Sequence, residues 1–266
     1  MNVSLGLKIA AVGLIVCLLS GSGSSQSIQM MDPDKDHPEF EFQMARIRYR
    51  TSGGAGSHGI RQPWWAIDYP YAEEHFLEAL RRVTKISVAG DERHLDLSDP
   101  KIFEYPFLLL QQPGSGNWRP TAEEAANLRQ HLLRGGFMLV DDFHGEYDWA
   151  VFATAMRKVF PDRQIVEIPD DDPLMHIFYD LDKNTAIPGL RHLRCCSRNG
   201  QVVAQMEGPQ HWRGIYDDHN RLMVAMDFNM DFGDAWEHAD DPDYPVPMTA
   251  LAYKFGVNYV IYAMTH

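Results

Sequence analysis

Four consecutive apolar residues, Phe137 to Val140, lie between a glycine pair, Gly135 and Gly136, and an acid pair, Asp141 and Asp142. A strand with no polar alternation is covered on both faces, which calls for a sheet with helices packed on either side. A charged pair inside such a strand is costly to bury without partners. The reading therefore ends the strand at Val140 and sets the two acids at its mouth.

The flanking segments repeat the theme. "FQMARIRYR" (Phe42 to Arg50) reads as a first strand, followed by the glycine-rich loop "TSGGAGSHG". Phe76, Leu77, Leu80 and Val83 have helical spacing in "YAEEHFLEALRRVT". A second strand is expected around Ile86 to Val88, and "YPFLLLQQPG" is a buried strand ended by turn residues. Thr121 and Glu124 form a capping-box signature for a helix that Gly135 and Gly136 stop. "DWAVFATAMRKVF" reads as another helix and "RQIVEIP" as another strand. Strands alternating with helices predict a parallel sheet with helices on both faces. Past Pro188 the texture becomes strand-rich, with a hairpin signal at Asn199-Gly200 and a strand at "RLMVAMDFN"; "TALAYKFGVNYVIYAMTH" closes the chain as a helix with Leu251, Phe255, Tyr259 and Tyr262 on its packed face.

The N-terminus has the pattern of a secretory leader. Lys8 precedes the apolar run Ile9 to Leu19, and a small polar tract follows. The expectation is a signal peptide over residues 1–26, cleaved between Ser22 and Ser27, a polar linker over 27–39, and one domain over 40–266 in a periplasmic or secreted protein; the alternative is an inner-membrane anchor. Cys17 lies inside the apolar run, with Val16 where a lipoprotein signal wants a small residue. Cys195 and Cys196 are adjacent and cannot staple a fold without a strained turn. They are read as packing residues. A net charge of −13, with acids scattered apart from short clusters, suggests neither a nucleic-acid surface nor an anionic-membrane patch.

Six ordered motifs carry a family resemblance: "FQMARIRYR", "WWAIDYPYAEEHFLEAL", "DPKIFEYPFLLL", "LRGGFMLVDDFHG", "MRKVFPDR" and "FGDAWEHADDPDYP". Together they resemble the bacterial domain-of-unknown-function family 4159 across nearly all of the chain after Glu39. The resemblance implies an α/β fold, a flavodoxin-like and glutamine-amidotransferase-like (also ThuA-like) parallel sheet flanked by helices, with elaborated C-terminal strands. It also implies an envelope-assembly setting, since such proteins occur beside MoxR-type ATPases and von Willebrand A-type proteins. "GGFMLVDDFHG" stands where an amidotransferase carries its nucleophilic cysteine, and that cysteine is absent. Thiolate amidotransfer is therefore not expected, nor is serine hydrolysis, because there is no G-x-S-x-G pattern.

Ligands of open parallel sheets gather beyond the carboxyl ends of the strands. That rule selects Asp141, Asp142 and His144, with Glu146 beside them. Of the two aspartates, Asp142 is expected to face the opening with His144 while Asp141 turns to the opposite face and satisfies backbone groups or caps the following helix. Trp64, Trp65, Asp68 and Tyr69 in "WWAIDYP" form an aromatic and acid patch of the kind that holds sugars, or else they roof the sheet. "DFNMDFGDAWE" lacks the glycine and glutamate positions of an EF-hand and is read as a loop lending Asn229, Asp231 or Trp236 to the cleft. The remaining histidines have no metal-ligand spacing and are taken as solvated or locally bonded. No cofactor or metal is assigned. Two functions remain open: a binding or assembly component for a saccharide, a small polar ligand or an envelope partner, and a hydrolase using Asp141, Asp142 and His144 with or without a divalent cation.

Overall fold

Alternate residues of the central strands pack to opposite sides. Phe107 and Leu109, with Phe137 and Leu139, enter one apolar cluster, whereas Leu108 and Leu110, with Met138 and Val140, enter another. Two faces, each needing cover, make three layers. The computed structural model describes residues 34–57, 60–194, 197–198, 201–202 and 206–266. The leader, Cys17, Cys195, Cys196 and the Asn199-Gly200 turn lie outside them.

The elements run in chain order as β1 (Ala45–Arg48), β2 (Gly54–Ser57), β3 (Ile60–Pro63), α1 (Tyr71–Val83), β4 (Arg93–Asp96), β5 (Phe107–Gln111), α2 (Ala122–Leu133), β6 (Phe137–Phe143) and α3 (Gly145–Val159). They continue with β7 (Val166–Glu167), α4 (Pro173–His176), α5 (Leu190–Arg194), β8 (Ser197–Arg198), β9 (Gln201–Val202), β10 (His211–Tyr216), β11 (Leu222–Phe228), α6 (Phe232–Glu237) and α7 (Val246–Thr265). A seven-stranded sheet has the order β4-β1-β5-β6-β11-β10-β7. Its first five strands are mutually parallel, and β10 is antiparallel to both of its neighbours. Numbered along the chain, those five strands stand in the order 2-1-3-4-5, the flavodoxin-like arrangement, with its switch point between β1 and β5. One face is covered by residues of α1, α6 and α7, the other by residues of α2 and α3.

Four segments differ from the sequence expectation. Val88 makes only an isolated bridge to Phe42, and the second strand proper is β4, because the turn at Gly90 and Asp91 interrupts the pairing before Arg93 rejoins it. The glycine-rich loop contributes to a two-stranded hairpin, β2 with β3, and "LRHLR" is the short helix α5 rather than a strand. β6 does not stop at Val140. It runs through both aspartates to Phe143, and its register with β11 slips there, Met226 facing Val140 while Phe228 faces Phe143. β6 thus carries one extra residue, a bulge of the kind that re-aims side chains beside sites.

Candidate functional site

The carboxyl ends of β5, β6 and β11, together with the segment between β3 and α1, hold four non-glycine residues in the left-handed region: Asp68 (φ 67°), Gln112 (φ 48°), Asp142 (φ 54°) and Asn229 (φ 59°). Such backbones persist only where the surroundings hold them, and they concentrate at functional edges. Three of the four line one cleft of about 670 Å³, together with Trp64, Asp231, Asp234, Glu237, Asp241 and Arg191.

The floor is built from strand ends. In register, Gln111 lies beside Asp141, so two amides and two carboxylates end adjacent strands. Gln111 Nε2 donates to Asp68 Oδ2 at 2.9 Å, and Gln112 Nε2 donates to Asp142 Oδ2. Gln112 is itself buried, and its Oε1 has no hydrogen-bond partner. Asp68 is brought in by Arg46 on β1, whose Nη1 donates to the carbonyl oxygens of Trp65 (3.1 Å) and Ile67 (3.0 Å) and thereby ties the loop to the sheet. A Cβ on Gly233 would fall 2.2 Å from Asp68 Oδ2 and 2.4 Å from Gln111 Nε2, so α6 can approach these groups only as glycine.

The neighbouring aspartates do different things. Asp141 accepts the main-chain N–H groups of Phe232 (3.0 Å) and Gly233 (2.8 Å). It therefore holds the first turn of α6 and not that of α3, which directly follows β6. Asp142 turns to the cleft and accepts from His144 Nε2 at 3.0 Å. Asp231 caps α6, accepting from Asp234 N at 2.8 Å, and Asp234 accepts Leu190 N at 2.7 Å.

Burial raises all of these acids, but their partners leave them shifted in opposite directions. Asp68 and Asp231 are pushed well above the usual carboxylate range by burial and by each other's neighbours, among them Asp234 and Asp142. Asp234 is lifted to about 6, first by burial and then by the charge of Asp142. Burial also lifts Asp142, but the hydrogen bond and charge of His144 and the Gln112 amide outweigh it and hold the group below its ordinary value. Asp142, held toward its ionised form, thus sits beside Asp68 and Asp231, which are held toward their protonated forms.

Of the residues selected from sequence, Trp64, Asp68, Asp142 and Asp231 meet at the cleft, and His144 stands behind Asp142. The others are elsewhere. Trp65 and Tyr69 pack edge-on against His94, at 5.0 and 4.8 Å between centroids. Trp236 is buried and stacked on Phe76 at 4.3 Å, with Asp141 on the backbone beneath α6. Asn229 accepts Gly145 N at 2.9 Å and donates to Pro209 O at 2.8 Å, pinning two segments together. Glu146 is exposed in the first turn of α3. Sequence reasoning missed Gln112, Asp234 and Glu237 at the cleft, and His192 and Glu207 beside His144. A polar pair closing the buried run "FLLL" was the available signal for Gln112; the rest are joined only by tertiary packing.

The family model for the domain of unknown function DUF4159 matches residues 43–264. The chain belongs to the DUF4159 family. That match covers every residue of the cleft, so the site belongs to the DUF4159 domain and not to an appendage. No functionally curated protein matches the sequence. Among the described residues, no helix is long and apolar enough to cross a membrane.

Proposed function

We propose that this DUF4159 protein binds a hydroxyl-rich ligand of the saccharide class in the cleft beyond β5 and β6. The reading rests on one observation: six carboxyl groups, Asp68, Asp142, Asp231, Asp234, Glu237 and Asp241, surround one opening that Trp64 walls. Such a lining disfavours phosphates and other anions. Protonated carboxyls donate hydrogen bonds and ionised ones accept them, which matches hydroxyl groups that do both, and an aromatic face stacks on a pyranose ring. The secretory leader pattern supports a periplasmic or secreted setting. An envelope-assembly role beside MoxR-type ATPases is the corresponding partner proposal.

The test is calorimetric titration of the purified protein with neutral sugars, amino sugars and sugar phosphates. Neutral or amino sugars are expected to bind. Trp64→Ala and Asp142→Asn should each weaken binding at least tenfold with little change in the ligand-free melting temperature. Binding of the sugar phosphates alone, or full affinity in Trp64→Ala, would sink the idea.

A hydrolytic reading is favoured by the opposed shifts of Asp142 and Asp231, since an ionised and a protonated carboxyl side by side are the parts of a base and an acid. In that case chromogenic glycosides would turn over with a bell-shaped pH profile, and Asp142→Asn would abolish turnover while retaining binding. Binding without turnover leaves the protein a binding component.

A further inference from the structure

We propose that His144, His192 and Glu207 form a site for a transition-metal dication of the zinc type, lying behind Asp142. The donor atoms of the three side chains lie within 4.8 Å of one another. Glu207 Oε2 is 2.8 Å from His192 Nε2 and 3.7 Å from His144 Nδ1. The two imidazole rings stand 4.9 Å apart between centroids.

The independent sign of a ligand is an orphaned nitrogen: His144 is 8% exposed, and its Nδ1, on the Glu207 side, is buried without a hydrogen-bond partner, while His192, 5% exposed, turns Nε2 to Glu207. His144 Nε2 is taken up by the 3.0 Å contact with Asp142 Oδ1, and its Nδ1 faces Glu207 Oε2 at 3.7 Å, beyond hydrogen-bond reach, so Nδ1 is the atom left to coordinate an ion.

The surroundings match a metal centre beyond the three ligands. A ligating histidine commonly donates its second N–H to a carboxylate, which fixes the ring and raises its basicity. Asp142 fills that position for His144 and is itself held by Gln112. Asn229 holds the segments that carry two of the ligands, accepting Gly145 N next to His144 and donating to Pro209 O two residues beyond Glu207. Two imidazoles and one carboxylate suit zinc, cobalt or iron(II) over calcium or magnesium, which require oxygen donors. Three protein ligands leave a coordination position open, and the side chain of Glu207 is 43% exposed, so the site has a route to solvent. The inference stands on these contacts and does not depend on the saccharide reading.

The whole chain, stripped with chelator and dialysed, is titrated with Zn2+, Co2+, Mg2+ and Ca2+ by calorimetry, and its Zn2+ form is measured by X-ray absorption. One Zn2+ or Co2+ per chain is expected, at micromolar dissociation constant or tighter, with two imidazole nitrogens in the zinc shell and no comparable binding of Mg2+ or Ca2+. His192→Ala and Glu207→Gln should each weaken binding about 100-fold. Asp142→Asn should weaken it by about 10- to 100-fold as a positioning residue. The proposal is overturned if wild type binds no Zn2+, if the shell lacks two imidazoles, if Mg2+ or Ca2+ is preferred, or if either ligand variant binds Zn2+ as wild type does. The absorption measurement needs only wild type, so an unfolded variant does not blunt the test.

Discussion

Asp141 and Asp142 are chemically identical neighbours whose partners differ in one respect that can be measured. The partners of Asp141 are two main-chain N–H groups, which cannot reverse their polarity. Asp141→Asn therefore turns an amide N–H2 toward a fixed donor and should destabilise the protein by about 2–3 kcal/mol, read from chemical denaturation. The partners of Asp142 are a glutamine amide and an imidazole. Gln112 can rotate its amide to present Oε1, so Asp142→Asn should lose less than about 1 kcal/mol. An equal loss in both variants would show that Asp142, too, is chiefly structural. Which aspartate faced the opening was legible only in outline, since a one-residue bulge sets the phase and nothing in "VDDF" announces it. Gln111 and Gln112 were passed over because amides at a strand end look like turn residues until register sets them beside the acids.

At the scale of elements, β1, α1 and the start of β4 are joined by one buried guanidinium. Arg46 bonds Glu73 on α1 and reaches Glu92 beside β4, and all three are fully buried. Arg46 stays charged, so two carboxyls share one positive partner. Burial lifts Glu73, Arg46 pulls it down and the charge of Glu92 lifts it again, leaving it at about 8. The unfolded chain would ionise this group near its ordinary value of 4.5. Its contribution is thus complete at low pH and is lost as pH rises through about 8, with a slope of up to about 1.4 kcal/mol per pH unit between. Denaturation of wild type between pH 5 and 8 should show stability falling with pH, and Glu73→Gln should flatten the curve. An unchanged slope in the variant would assign the ionised form to Glu73. Helices were the most legible elements: the Thr121 and Glu124 capping box is formed as its spacing predicts. Strands were less so. β10 escaped notice because Gly214 breaks its alternation, and its place is fixed by pairing with β11 and not by its own sequence.

For the whole molecule, the α/β class followed from the order of buried runs and helical spacings and the flavodoxin-like sheet from the family resemblance, whereas the antiparallel β10 depended on contacts between distant segments. The same separation hid the gathering of acids, which come from Asp68 in one loop and Asp241 far along the chain. Their concentration within a net charge of −13 gives a general prediction. Raising monovalent salt from about 10 to 300 mM shortens the screening length several-fold and should raise the melting temperature by a few degrees at pH 8. The rise should shrink at pH 5.5, where more of the carboxyls are neutral. A melting temperature insensitive to salt at both values would mean that the cleft acids are already compensated. One carboxylate also gives the molecule a connection across its own interior. Asp142 presents Oδ1 to His144 and Oδ2 to Gln112, so an occupant of the cleft that draws on one oxygen alters the electron density at the other. By reciprocity, the strengthening that an ion at the histidines would confer on a guest in the cleft is the strengthening that guest returns to the ion.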